Sequence, residues 1–168
     1  AYVDEEIGSV NPLSNNATLN NVPFPNGTPF PKEPIEFVEY IDSIAKKELK
    51  VAVEAPVSHG FCVFIKRSII DIIGLFDEQK FGKGHGEDNE FSIRIRSKGF
   101  KCITTTNVFV GHDGSTSLKD EVMFWKLNGR EVMNKEFPFY MNEIKKFFNN
   151  DPISKERKVL ESHFKRFF

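Results

Sequence analysis

Residues 59–100 read HGFCVFIKRSIIDIIGLFDEQKFGKGHGEDNEFSIRIRSKGF, and how this stretch divides into elements decides the fold. Residues 61–65 (FCVFI) are a continuous apolar run closed by Lys66-Arg67, the pattern of a strand buried on both faces. Residues 68–73 follow as a short helix, with Ser68 as its cap and Gly74 as its stop. In residues 87–98 two periods compete. Phe91, Ile93 and Ile95 alternate as in a strand, whereas Glu87, Asp88 and Glu90 crowd the start and Arg94, Arg96 and Lys98 the end, ahead of Gly99. That charge order suits a helix dipole, so the segment is assigned as a helix. Residues 101–110 (KCITTTNVFV) are rich in β-branched side chains and read as a strand.

Upstream, residues 1–6 read as the tail of a helix running into a strand at 7–10, which suggests a fragment of something longer. Residues 11–34 hold six prolines and six asparagines, so no helix or central strand persists there, and the apolar Leu13, Leu19, Val22, Phe24 and Phe30 imply a loop lying against a surface. Pro34 then opens an amphipathic helix to about residue 49, with Ile35, Val38, Ile41, Ile44 and Ala45 at helical spacing. Residues 51–53 are too short to assign. After Gly111 a polar loop, His112 to Ser117, leads to three helical stretches at 119–135, 140–149 and 154–168, separated by Pro138 and Pro152. The expected architecture is α/β: strands near 7–10, 61–65 and 104–110 in one mixed sheet flanked by helices, followed by a helical C-terminal extension from residue 119.

The chain has 168 residues with 23 Lys+Arg against 24 Asp+Glu, so it lacks the basic footprint that binding a phosphate backbone needs, and nucleic acid is not an expected partner. The opening AYVDEEIGSV has neither a basic nor an apolar leader segment and no stretch is long enough to span a membrane, so a cytoplasmic domain is expected. Cys62 and Cys102 sit in apolar runs without partners at metal spacing and are expected as buried thiols. In the C-terminal stretch aromatic residues interleave with Lys and Arg. That pattern fits core packing with basic outer faces, the expected case, or a surface docked at the inner face of a membrane.

The chemistry-bearing residues gather in two places. Gly82, Gly84 and Gly86 surround Lys83 and His85, a close-approach loop that delivers Glu87-Asp88 to a helix N-terminus, where the dipole and free N–H groups favour the ionised carboxylate that a general base requires. The plain alternative is an acidic first turn behind a glycine turn. The strict alternation of glycines is not the G-x-G-x-x-G of a dinucleotide or phosphate cradle. His112 opens a polar loop after a buried strand, where α/β folds often meet ligands, so it is a candidate for a metal or a phosphate contact. His59 and His85 stand beside glycines, and His163 belongs to a helix. No H-E-x-x-H or C-x-x-C occurs, so a self-contained zinc site is not expected.

Taken together, residues 59–100, the strand after them and the run GHDGSTS resemble the C-terminal half of the inverting family 2 glycosyltransferases, which have the GT-A fold. The resemblance rests on Gly60, Lys66-Arg67, Gly74, Phe76, Asp77, Glu78, Glu87-Asp88, Arg94 and Gly99, in order and at the family's spacing. The upstream IGSVNPLSNNATL is similar to the family's segment after its first acidic motif, so the match covers about residues 7–118. It implies that residues 1–118 are the acceptor side of a GT-A domain. Asp88, or next Glu87, would deprotonate an acceptor hydroxyl that attacks a nucleotide-sugar with inversion. It further implies substrate contacts from Gly60, His85, Gly86 and Arg94, and a divalent ion, Mg²⁺ or Mn²⁺, bound in part by His112. The partners implied are a nucleotide-sugar donor and a glycan acceptor.

The sequence also departs from the family: no Asp-x-Asp occurs anywhere in it, so the nucleotide half of such an enzyme is missing from these residues and little transfer by them alone is expected. Removal of that half would expose a strand edge, which makes a homo-oligomer the expected state. Two other readings stay open at this level: a non-catalytic carbohydrate-binding or assembly module that kept the fold, and a metal-dependent hydrolase using Glu87, Asp88 and His112.

Overall fold

The computed structural model describes residues 4–82, 84–113 and 122–168. Residues 1–3, Lys83, and the polar loop from Gly114 through the expected start of the helix at 119–121 lie outside the described residues. The chain order is β1 (Ile7–Leu13), a 3₁₀ turn (Thr18–Asn20), α1 (Pro34–Glu48), β2 (Ala52–Ala55), β3 (Phe64–Ile65), α2 (Arg67–Ile73), α3 (Glu78–Phe81), α4 (Glu87–Ser97), β4 (Lys101–Phe109), α5 (Val122–Glu136), α6 (Tyr140–Asn150) and α7 (Ser154–Phe164). The fold is α/β: a four-stranded mixed sheet in the order β2-β4-β1-β3, accompanied by seven helices among the described residues.

The sheet is built on the parallel pair β1 and β4, with Val10 opposite Ile103 and Asn11 opposite Thr104. Antiparallel partners close each side: β2 runs along β4, and β3 pairs with Ser9 and Val10 of β1. The central pair is buried along much of its length, as parallel strands are. Buried polar positions inside β1 are all satisfied, and they set the next loop in place. Ser9 Oγ bonds Ser58 Oγ at 2.7 Å, Asn11 Nδ2 donates to the carbonyls of His59 and Cys62, and Asn11 Oδ1 accepts from the His59 N–H at 2.8 Å. Loop 58–62 is thereby fastened to the middle of the sheet.

Two packed clusters hold the sheet. One joins Phe37, Ile41 and Ala45 of α1 to Leu13, Phe109 and, from α7, Leu160 and Phe164; the Phe37 ring meets those of Phe109 and Phe164 edge-on at 5.8 and 4.9 Å. The other joins Ile69 of α2 and Phe91 and Ile95 of α4 to Cys102. The helical C-terminal residues share in this core. Besides α7, Ile144 and Phe147 of α6 pack with Leu19, Ala55 and Val57, while Phe124, Phe139 and Phe168 stay exposed.

Several expectations are corrected. The run 61–65 is a strand only at Phe64–Ile65, which among the described residues pairs with β1 and is the last strand of the sheet; Phe64 is 46% exposed and Cys62 lies open to solvent, whereas Cys102 is buried as expected. Residues 61–63 are instead drawn into the loop that Asn11 holds. Residues 51–53, too short to assign from their sequence, lead into β2 (Ala52–Ala55), which is stabilised by pairing with β4 rather than by any run of its own. Ser68 does not cap α2, which starts one residue earlier behind Lys66 without a side-chain cap. Ile35 faces outward, and Phe37 takes the buried place in α1. Glu5 and Glu6 form a turn, not helix. The central strand β1 runs on through Asn11, Pro12 and Leu13, inside the segment expected to hold none, because β4 pairs with it as far as Leu13; beyond it the proline-rich residues are an ordered loop folded on itself by asparagines: Asn15 Nδ2 donates to the Thr28 carbonyl, Asn20 Nδ2 to that of Pro12 and Asn21 Nδ2 to that of Pro25. No helix among the described residues is long and apolar enough to cross a membrane.

Candidate active site

The residues ahead of α4 adopt conformations that only a glycine-rich sequence accepts. Gly84, His85 and Gly86 all have positive φ, at 127°, 69° and 122°. At Gly86 a side chain would also collide, since a Cβ there would lie 2.9 Å from the Phe81 ring. The loop is pressed from the other side by α5. A Cβ on Gly129 would fall 1.6 Å from the His85 carbonyl oxygen, so the helix can lie on the loop only because residue 129 has no side chain. Sequence reasoning passed over Gly129; a glycine inside an otherwise helical run, at a cost in propensity, was the available signal.

This arrangement presents Glu87 and Asp88 on the first turn of α4. Asp88 is oriented twice: Oδ2 accepts from the Gly60 N–H at 2.9 Å and Oδ1 from the Asn89 N–H at 2.8 Å. The expectation that such donors would favour ionisation is corrected. Burial outweighs them and raises the Asp88 carboxyl above its ordinary value. Glu87 is raised as well, first by burial and then by the neighbouring charge of Asp88. Glu87 Oε2 and Asn89 Oδ1 are buried acceptors that find no donor among the described residues.

His59 and Tyr140 complete the surroundings of Asp88. His59 Nδ1 stands 4.0 Å from Asp88 Oδ2, and the Leu19 N–H donates to His59 Nε2 at 3.5 Å, which puts the ring proton on Nδ1, facing the carboxylate. Burial lowers the His59 pKa to about 4, so the ring is neutral at physiological pH. The Tyr140 phenol is pushed well up by burial and by the charge of Asp88, and it stays a neutral hydroxyl.

On the far wall, His112 is clamped by the proline-rich loop. Its N–H donates to Asn15 Oδ1 at 2.8 Å, and Nδ1 donates to the Asn16 carbonyl, which as a pure acceptor fixes the tautomer and leaves the Nε2 lone pair free. The ring stacks on Phe61 with centroids 5.3 Å apart and planes at 25°. Asp88, Glu87, His59, His112 and Tyr140 line one open groove of about 610 Å³, floored by Gly60 and bounded by α5. The loop before α4 has not packed this groove shut, and the C-terminal helices form its wall without filling it.

No family model matches the chain, and no curated protein or solved structure matches it. Of the residues expected at the site, Asp88, Glu87, Gly60, His85, Gly86 and His112 meet in the groove. Arg94 does not line it. Its guanidinium is spent on both oxygens of Glu90 and on the carbonyls of Ile73 and Leu75, so it fastens the loop after α2. For a divalent ion, His112 offers one imidazole in the correct tautomer, but no group of three or more His, Cys, Asp or Glu among the described residues is placed to hold one.

Proposed function

We propose that this chain forms the acceptor-binding, base-bearing part of a glycosyltransferase of the family 2 type, with Asp88 as general base. One observation carries this reading: a buried, doubly oriented carboxylate of raised pKa faces an open groove beside two buried acceptors that lack donors among the described residues. A raised pKa makes a carboxylate a better proton acceptor near neutral pH. Glu87 Oε2 and Asn89 Oδ1 need O–H or N–H donors to offset their desolvation, and a sugar supplies several adjacent hydroxyls.

In the proposed reaction an acceptor hydroxyl gives its proton to Asp88 as its oxygen attacks the anomeric carbon of a nucleotide-sugar. The bond from that carbon to the diphosphate oxygen breaks, the nucleoside diphosphate leaves with the electron pair, and the anomeric configuration inverts. Neutral His59 directs a proton toward Asp88 without competing as a base, since burial keeps its own pKa near 4. The Phe61–His112 stack offers an apolar face on which a sugar ring can rest. The donor must be held largely by residues other than these, because the sequence contains no Asp-x-Asp.

The test is saturation-transfer NMR with a panel of oligosaccharides, together with nucleoside diphosphate release from UDP- and GDP-sugars. The reading predicts oligosaccharide contacts that vanish in Glu87→Gln/Asn89→Ala. Absence of binding by every oligosaccharide would contradict it.

A further inference from the structure

The wall that α5 presents to the groove is made by Lys126, Gly129, Arg130 and Met133, which at spacings of three and four form one stripe of the helix. Two members of the stripe are buried and structural: Gly129 lies against the His85 carbonyl and Met133 packs with Phe81 and Ile93. The other two, Lys126 and Arg130, are exposed at the groove, one turn apart, with side-chain roots about 5–6 Å from each other. Neither has an ion-pair or hydrogen-bond partner among the described residues, whereas the cations nearby are occupied: Lys80 by Glu136, Arg96 by Glu143, Arg94 by Glu90. Like charges at this spacing repel by a few tenths of a kcal/mol, a cost that an anion between them reverses. Among the described residues the groove thus has two chemically distinct walls, one of acceptors without donors at Glu87 and Asn89 and one of cations without counterions at Lys126 and Arg130.

We propose that the glycan taken by this groove is acidic, its oxyanion substituent, a carboxylate of the hexuronate kind, held by Lys126 and Arg130 while neutral hydroxyls of the same ligand satisfy Glu87 and Asn89. This rests on the glycosyltransferase reading and adds the substrate class. An anion directed to the cation wall stays off the Glu87–Asp88 wall, where it would be repelled, and this sets which way round the ligand lies. The two cations determine specificity and touch no reacting atom.

The experiment is calorimetric titration of the whole chain with a glucuronate-containing tetrasaccharide, with the same tetrasaccharide after reduction of its carboxyls to alcohols, and with UDP. The acidic sugar should bind about tenfold tighter than the reduced one at low salt, with the gap closing in high salt because exposed charges are screened. Lys126→Ala and Arg130→Ala should each weaken the acidic sugar about threefold to tenfold and leave the reduced one unchanged, and Lys126→Arg should retain binding. Both side chains are exposed, so the variants should keep wild-type melting temperatures. Equal affinity for the two sugars, or indifference of the acidic one to both alanine variants, would overturn the proposal while the glycan reading stands. Binding of UDP through Lys126 and Arg130 with neither sugar responding to them would assign the cations to a donor phosphate and also overturn it. Failure of both sugars to bind would remove the glycan reading together with this inference.

Discussion

His59 Nδ1 faces the Asp88 carboxylate at 4.0 Å while its Nε2 accepts the Leu19 N–H, so a neutral imidazole is locked between the proline-rich loop and the first turn of α4. Its pKa falls from 6.5 to about 4 on folding, through burial. The unfolded chain therefore binds the proton more tightly, and stability contributed by neutral His59 is complete above about pH 6.5 and is lost as pH falls toward 4, on the order of 3 kcal/mol in all. His59→Gln should flatten the stability profile between these limits. Urea unfolding at several pH values checks this, and parallel profiles for variant and wild type would contradict it.

Asp88 carries the opposite sign. Its carboxyl is raised in the folded protein by burial, so the native state binds the proton more tightly and stability falls as pH rises from the ordinary carboxylate range through the raised value. Asp88→Asn removes that penalty. The variant should melt above wild type at pH 7, with the difference shrinking toward pH 4, as measured by calorimetry. A site whose charge is kept at a cost in stability is expected to show this trade.

Gly129 and Gly60 separate packing from function. A Cβ at 129 cannot coexist with the His85 carbonyl, so Gly129→Ala should cost about 2 kcal/mol or more and displace the loop before α4. At Gly60 a Cβ would lie 3.6 Å from Asp88, an ordinary contact, so Gly60→Ala should change stability by about 0.5 kcal/mol at most. Thermal unfolding of the two variants gives the comparison.

Arg94 offers a contrasting case. Its partner Glu90 is buried, so Arg94→Ala leaves a charge without its counterion and should cost about 3 kcal/mol in stability. Oligosaccharide affinity of the folded fraction should stay at the wild-type level, because Arg94 points to the Ile73 and Leu75 carbonyls and away from the groove. Loss of affinity without loss of stability would return Arg94 to the site.

Much of this was legible in the sequence. The charge order of residues 87–98 announced α4 and put Glu87 and Asp88 at its start, and the glycines announced the loop ahead of it, because dipole and backbone preferences act locally. What escaped was non-local. β2 exists because β4 lies beside it, the 61–65 run shrank because Asn11 draws its first residues into a loop, and His59 joins Asp88 only because the same Asn11, some fifty residues earlier, holds that loop. Arg94 was assigned to substrate on resemblance, and its intrahelical reach to Glu90 was the local fact that outweighed it.

The central claim is that Asp88 takes the acceptor proton. Steady-state transfer by a protein in which these residues are joined to a donor-binding half, with the donor and the acceptor titrated separately, tests it most directly. Asp88→Asn should lower turnover by about 10²–10⁴-fold, the usual worth of a general base, with the acceptor's KM nearly unchanged, since Asn retains an oxygen for the Gly60 N–H. Near-wild-type turnover in Asp88→Asn, with the same loss appearing instead in Glu87→Gln, would contradict the account and move the base one residue upstream.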